Sequence, residues 1–180
     1  MDTVKWLVMN YTLPKEPSRA RVSVWRKLKK TGAVNIKQSM WILPETKANI
    51  ESLSAVKEEI VACSGEAYVL KCSPDDDSNC VFIQKFSDAR NEEYKELLEQ
   101  CEEFFKEIEK ETARKNFSFA EIEENEEELE KLKKWFSQIC ARDHFCAPPK
   151  QTSEETLHKC GAVLEEFCEQ VYESNNKEGV

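Results

Sequence analysis

Glycine and histidine are scarce in this 180-residue chain, which holds four glycines and two histidines. So few glycines leave little room for a glycine-rich phosphate loop. No Ser-His-Asp set and no paired Cys-His nucleophile is evident either. We therefore expect a protein that is not an enzyme and that carries no cofactor.

Long apolar runs are also missing. Apolar runs such as Trp6–Met9 and Val81–Ile83 are far shorter than the roughly 18 to 20 residues that span a bilayer. The first residues lack the charged region, apolar stretch and cleavage site of a signal peptide. We therefore expect a cytoplasmic protein that makes no contact with a membrane.

Eight cysteines are present, and without an export signal we expect them to be reduced. Cys101, Cys140 and Cys168 fall in phase with apolar stripes of predicted helices and are expected to behave as small buried hydrophobic residues. Thiolate and imidazole are ligands that zinc prefers, but their spacing here matches no standard zinc finger. The residues considered for a metal, with none predicted, are Cys140, His144, Cys146, His158 and Cys160.

The charge of the chain is divided unevenly along its length. Residues 1–50 hold ten lysines and arginines against three acids, a balance of +7. Since the whole chain carries −9, the other 130 residues carry −16. This asymmetry indicates an anion-binding face in the first part, and nucleic acid is the commonest large anion.

The first 73 residues alternate between strand-like and helix-like patterns. Short apolar runs bounded by proline or glycine are typical of strands, and apolar residues three and four apart are typical of helices. Ser18 stands where a helix N-cap is expected, and Gly32 where that helix would stop. The predicted elements are strands at 4–12, 33–37, 40–43 and 66–71, with helices at 18–32 and 46–63. The predicted fold class is α+β. The order of the elements is the one found in the ferredoxin-like split βαβ arrangement.

Beyond residue 73 the pattern becomes that of three helices. The first is predicted near 88–115, the second begins at a Ser118–Glu121 capping box, and the third begins near Thr152. The predicted organisation is a ferredoxin-like basic domain at 1–73, a connector at 74–87, an acidic three-helix region at 88–173 and a frayed tail at 174–180.

Several segments of the chain resemble the ChrB family. They are Trp6–Pro14, Pro17–Ala33, Trp41–Pro44, Phe117–Glu121 and Ala141–Pro148. Proteins of that family are implicated as transcriptional regulators of chromate-resistance operons, so the resemblance implies DNA as a partner and chromate as a signal. Longer members continue into a further C-terminal domain that this sequence does not include, so a sensing role housed there is not carried over.

The helix predicted at 18–32 carries the sharpest functional signal. It holds six cations within twelve residues, with no acid between them: Arg19, Arg21, Arg26, Lys27, Lys29 and Lys30. Cations of this kind contact DNA phosphates and give salt-sensitive affinity. A solvated helix face is the plainer alternative, and nothing resembles a helix-turn-helix. We predict DNA binding through this helix, by a homodimer formed along an exposed sheet edge.

Arginine also suits a tetrahedral dianion such as chromate or sulfate, because its planar fork donates two hydrogen bonds at once. The oxyanion candidates are Arg19, Arg21, Arg26 and Arg142. Ion pairing with the acidic helices is the competing interpretation. The alternative function is a role without DNA, either as an oxyanion-binding or redox accessory protein of chromate detoxification or as a scaffold for a protein partner.

Overall fold

A computed structural model describes residues 4–177 of the chain. The contacts between residues divide the chain into two units, Met1–Ala89 and Arg90–Val180. The first unit contains a four-stranded sheet with its helices, and the second is helical. The predicted α+β class, with strands first and helices after, is confirmed.

The first unit has the predicted order of strand, helix, strand, strand, helix, strand. Its elements are β1 (Trp6–Thr12), α1 (Ser18–Lys30), β2 (Val34–Lys37), β3 (Met40–Pro44), α2 (Lys47–Ala62) and β4 (Glu66–Cys72). The sheet order is β2-β3-β1-β4, and every pair is antiparallel. Each helix connects two strands that have one other strand between them, which confirms the ferredoxin-like split βαβ topology.

One face of the sheet is apolar and buried beneath the helices. Leu7 and Met9 of β1 lie opposite Leu43 and Trp41 of β3, so the four side chains share this face, and all four are buried. The inward residues of α2 are Leu53, Val56 and Ile60. Each large side chain buried in this way stabilises the fold by about 1.5–3 kcal/mol relative to an exposed position.

The first turns of α3 (Asp76–Arg114) pack near one end of the opposite face. Trp6, whose side chain points to that face, is fully buried. The rings of Phe82 and Phe86 meet it edge-on, with centroids 5.5 and 6.0 Å from the indole. The indole Nε1 also donates a hydrogen bond of 2.9 Å to Oδ1 of Asn79. These contacts bury the indole on the face of the sheet opposite to the one that carries Leu7 and Met9.

Residues 76–87 are helical, although the sequence analysis assigns 74–87 to a connector and starts this helix near 88. Oδ1 of Asp75 accepts the backbone N–H of Ser78 at 2.8 Å, and this hydrogen bond lowers the pKa of the Asp75 carboxyl. It also satisfies one of the unpaired N–H groups at the helix start. The polar run that suggested a loop is therefore a capped helix start, because the same residue types favour caps and turns.

The second unit contains the remainder of α3 with α4 (Phe119–Arg142) and α5 (Pro149–Lys177). The capping box is confirmed, since Oγ of Ser118 accepts the N–H of Glu121 at 3.3 Å. α5 begins at a proline three residues before the predicted start, and the first turn of a helix tolerates proline because its N–H is unpaired there. Residues 174–177 of the predicted frayed tail are helical, and residues 178–180 lie outside the described residues.

Apolar side chains from the three helices form a core in the second unit. Its largest fully buried members include Tyr94, Leu97 and Phe167. Cys101 is buried there, and Cys140 and Cys168 pack against it half-buried, as their helical phase predicts. Over residues 4–177, no helix combines the length and the apolarity that crossing a membrane requires.

Candidate nucleic-acid interface

α1 follows β1 and precedes β2 along the chain. Two apolar residues one turn apart anchor it to the core. Val24 and Leu28 are fully buried. They occupy one side of the helix, because residues four apart are neighbours on a helix surface. Most of the cations of α1 therefore lie away from this buried side.

The ends of α1 are set by backbone geometry. The helix follows Pro17, so Ser18 is its first helical residue and not the predicted N-cap, and no side chain caps this end. At the other end Gly32 has a φ of 83°, a conformation that glycine adopts without a steric penalty, and its N–H donates to the carbonyl of Lys29 at 3.0 Å. The last turn is rich in lysine, which suits the partial negative charge at a helix C-terminus.

Among the residues that the structure describes, Lys27 is the one predicted DNA-binding cation that has an acidic partner. Its Nζ lies 2.5 Å from Oε2 of Glu59 on α2, and Oγ of Ser23 donates to Oε1 of the same carboxylate at 2.6 Å. The hydrogen bond from Lys27, followed by that from Ser23, lowers the pKa of Glu59. This contact ties α1 to α2 and reduces what Lys27 can offer to another anion.

The other five cations of α1 are exposed and uncommitted: Arg19, Arg21, Arg26, Lys29 and Lys30. Within residues 4–177, no carboxylate lies within 4 Å of any of them. The sequence explains this directly, because α1 contains no acid that a neighbouring turn could present. Five cations therefore face solvent on one short helix.

These cations border an exposed apolar strip. At about 100° per residue, Arg19, Arg26 and Lys30 lie on the side of α1 opposite the buried residues, whereas Arg21 lies close to the angular position of Leu28. Between these two positions lie Val22 and Trp25, which are 44% and 49% exposed, together with Lys29. The outward side of α1 is thus a basic surface with an aromatic residue within it, a combination typical of proteins that contact nucleic acids.

Arg142, the fourth oxyanion candidate, belongs to a different cluster in the second unit. Its Nη2 donates to Oε2 of Glu93 at 2.9 Å, and Nη2 of Arg90 donates to Oε1 of the same residue at 3.1 Å. The Arg90 and Arg142 side chains are only 4% and 16% exposed. Glu93 is thus shared between two arginines, so Arg142 is already occupied by an anion of the protein itself.

The loop after α4 is organised around Asp143. Its carboxylate accepts the backbone N–H of Ala147 at 3.0 Å and the hydroxyl of Tyr94 at 3.2 Å. Burial raises the pKa of Tyr94, and burial lowers that of His144 beside the loop. Arg142 is predicted from this segment, but the roles of Glu93, Tyr94 and Asp143 are not. The family resemblance of Ala141–Pro148 points to the loop that contains Asp143, whereas no local signal points to Glu93 or Tyr94.

The thiols and imidazoles do not assemble into a metal centre among the residues that the structure describes. Cys160 is buried and is hydrogen-bonded to Cys101, which raises the pKa of Cys160 and lowers that of Cys101. Cys140 lies 3.6 Å from the hydroxyl of Tyr94. Cys146 and His158 both line a surface groove at the start of α5. The exposed cations of α1 remain the best candidate site for a ligand.

Comparison with known proteins gives one match. A family model described as "Protein ChrB, N-terminal" matches residues 21–178. The matched range begins within α1, so it contains every exposed cation of that helix except Arg19. It also contains Arg142 and the loop around Asp143. No curated protein and no solved structure matches the chain.

Proposed function

The chain belongs to the ChrB family, through its match to the N-terminal region, and on that premise we propose that this ChrB-like protein of chromate resistance binds DNA through α1. The observation that carries the proposal is the set of five exposed cations on α1 that have no carboxylate within 4 Å in the described part of the chain. The role proposed is regulatory binding, without catalysis.

An extended polyanion fits this surface better than a small oxyanion does. The five cations are spread over the outside of a 13-residue helix, which is about 20 Å long at 1.5 Å per residue. A tetrahedral dianion would contact only one or two of them, in full competition with water. A DNA backbone carries a charge every 1.7 Å or so along its axis and can engage several at once. The geometry therefore supports DNA over free chromate as the ligand of α1.

The expected binding is strongly salt-dependent. If all five exposed cations neutralise phosphates, log K should fall with log salt at a slope of about −4.5 for each α1 engaged. A solvated helix face that meets no DNA would give no such slope. Phosphate contacts alone carry no sequence information. The cations of α1 therefore account for affinity and for orientation on the duplex, and they do not account for base recognition.

Trp25 provides a built-in probe of this contact. It is 49% exposed, whereas Trp6 and Trp41 are 0% and 3% exposed. DNA that covers α1 should therefore quench or shift the fluorescence of Trp25 more than that of the two buried indoles. A Trp25→Phe variant would identify the source of any change, because Phe retains the apolar contact and removes the indole signal.

Fluorescence anisotropy of labelled promoter-region duplex, over a series of salt concentrations, tests the proposal. The test variant replaces Arg19, Arg21, Arg26 and Lys30 with alanine. Its control replaces four exposed lysines of the second unit, each paired with a glutamate, which changes the net charge by the same amount: Lys106, Lys110, Lys131 and Lys133. We expect the α1 variant to lose binding and the control to retain it. Equal loss in both variants, or no binding at low salt, would refute the proposal.

The second part of the proposal is a response to chromate. Membership of the ChrB family supports this response, whereas the geometry of α1 does not. Repeating the titration with chromate, and with sulfate as a control of equal charge and shape, measures it. We expect chromate to change the DNA affinity at concentrations where sulfate does not. Equal effects of both salts would mean ionic screening and would leave DNA binding without a chromate signal.

A further inference from the structure

The two edges of the sheet are built in opposite ways. β2, at one edge, has four residues and a register shift between Asn35 and Lys37. The Asn35 side chain also donates to the carbonyls of Gln38 and Met40, at 2.8 and 3.2 Å. Short length, irregularity and lysine are the devices by which proteins prevent an edge strand from pairing with another chain. β2 is therefore a protected edge.

β4, at the other edge, has neither the short length nor the irregularity of β2. It has seven residues in unbroken register with β1, and within residues 4–177 no strand pairs with its outer side. Its one lysine, Lys71, is paired with Glu45. Tyr68 and Leu70 are each 61% exposed on the sheet face that Trp6 also occupies. A long, regular edge with exposed apolar side chains is a template for strand pairing.

We propose that β4 pairs antiparallel with β4 of a second copy of this chain, so that the two sheets join into one of eight strands. The pairing is two-fold symmetric about an axis perpendicular to the sheet, as expected of an isologous dimer. The inference is independent of DNA binding, because it rests on the edge strand and not on α1.

The side chains of β4 select one register. Under this symmetry, residues that face each other across the new pair must lie on the same face of the sheet. Centring the pair on Val69 aligns all seven residues and places Tyr68 of each copy opposite Leu70 of the other. Aromatic and aliphatic cross-strand pairs of this kind are favourable. A register centred on Tyr68 would instead place Glu66 opposite Leu70.

The charges of β4 favour the same antiparallel arrangement. Glu66 and Lys71 lie near opposite ends of the strand. Antiparallel pairing centred on Val69 places Glu66 of one copy opposite Cys72 of the other, whereas in-register parallel pairing would place Glu66 against Glu66. A contact of only seven residues per copy is small for a stable interface, so we expect a reversible monomer–dimer equilibrium.

The dimer has a consequence for the proposed DNA contact. Because the axis is perpendicular to the sheet, the α1 helices of both copies lie on the same side of the joined sheet. Two basic surfaces then face in one direction, and the salt slope of DNA binding should approach twice that of one α1. This follows only if both proposals hold, so the dimer itself is tested without DNA.

Sedimentation equilibrium of the full chain, over a range of protein concentrations, tests the dimer, with three variants. Tyr68→Lys with Leu70→Lys places like charges opposite each other in the proposed register, and Tyr68→Lys with Leu70→Glu places opposite charges there. Val61→Lys, at an apolar position of α2 that is 57% exposed, is the control. Circular dichroism of dilute samples checks that each variant is folded.

We expect a concentration-dependent dimer for the native chain and for the Val61 control. The lysine–lysine variant should be monomeric, and the lysine–glutamate variant should recover the dimer. A native chain that stays monomeric at its highest soluble concentration would overturn the proposal. So would a lysine–lysine variant that dimerises normally, or a folded lysine–glutamate variant that stays monomeric. Loss of DNA binding in the α1 variant, with the dimer intact, would separate the two proposals.

Discussion

The two units of the protein treat their exposed cations in opposite ways. In the helical unit, four lysines each lie three residues after a glutamate and pair with it, at 2.6–3.2 Å: Lys106, Lys110, Lys131 and Lys133. α1 itself contains no acid, and within residues 4–177 five of its cations have no carboxylate within 4 Å. These four lysines therefore neutralise their own helices, while the five exposed cations of α1 are available to another molecule.

This difference shows why the net charge of −9 is a poor guide to function. The acidic helices supply the negative sign, and a small part of their charge is balanced within single turns at a gain of only about 0.2–0.5 kcal/mol per pair. The positive field comes from a separate segment where nothing local opposes it. The positions of the charges along the chain, rather than their sum, indicate the kind of partner.

The largest effect is expected when α1 is detached from its sheet. Leu28→Ala removes a fully buried side chain from the anchoring side of the helix. We expect the free energy of unfolding to fall by about 2–5 kcal/mol, because the transfer energy of the lost atoms adds to the cost of a cavity. Urea denaturation followed by circular dichroism measures this. A change below about 1 kcal/mol would mean that α1 is not anchored as described.

A smaller loss should follow from Glu93→Gln in the helical unit. This variant removes the carboxylate shared by Arg90 and Arg142 and leaves two poorly exposed arginines side by side. We expect a loss of about 2–3 kcal/mol, below the value for a fully buried pair because Glu93 is 24% exposed. The matched variant Glu128→Gln breaks an exposed pair of the same helical unit and should cost less than about 0.5 kcal/mol.

Equal losses in these two variants would contradict the distinction between the cluster around Glu93 and the solvated pairs. Urea denaturation of both at the same pH and salt concentration makes the comparison. Added salt should not close the gap between the two losses, because screening weakens exposed pairs more than buried ones.

The contact between α1 and α2 should contribute to the free energy of unfolding in a pH-dependent way. The pKa of Glu59 is lowered in the folded protein, so this residue adds stability above its ordinary value of 4.5 and loses that contribution as the pH falls through the folded pKa. We expect Glu59→Gln to cost about 0.5–1 kcal/mol at neutral pH, since Lys27 is half-exposed. Urea denaturation of both proteins from pH 7 downward should show the difference shrinking below pH 4.5. A constant difference would mean that the carboxylate charge is not responsible.

Much of the first unit is predictable because its signals are local. Short apolar runs bounded by Pro14, Gly32, Pro44 and Gly65 define the strands and helices almost to the residue. The start of α3 is not predictable in this way, since a run of acids with serine and asparagine suits a loop and a capped helix equally. What decides between them is the packing of Phe82 and Phe86 on Trp6, more than 70 residues earlier in the chain.

The candidate site also has features that are predictable from local sequence and features that are not. The cations of α1 and their lack of acidic neighbours can be read from the sequence. The partner of Lys27 cannot, because Glu59 lies on another helix. Arg142 looks like a free oxyanion ligand in the sequence, yet its partner Glu93 is 49 residues away. Pairings of this length depend on the tertiary fold, which periodicity does not specify.

The smallest effect on stability should come from the cations that distinguish the two units. Arg26→Ala removes an exposed, unpaired residue of α1, and Lys131→Ala removes an exposed lysine paired with Glu128. We expect both to change the free energy of unfolding by less than about 0.5 kcal/mol, as is usual at such surface positions. Their effects on DNA should differ, because only Arg26 lies on the proposed contact surface.

Anisotropy titrations at two salt concentrations make this last comparison. Arg26→Ala should weaken DNA binding at low salt and reduce the salt slope by about 1 for each α1 engaged, while Lys131→Ala should leave both unchanged. The pair of variants thus separates a cation that is available to DNA from one that its own helix already neutralises. If Lys131→Ala weakened DNA binding as much as Arg26→Ala, pairing with a nearby glutamate would not determine which cations bind DNA. The contrast between the two units would then not explain where DNA binds.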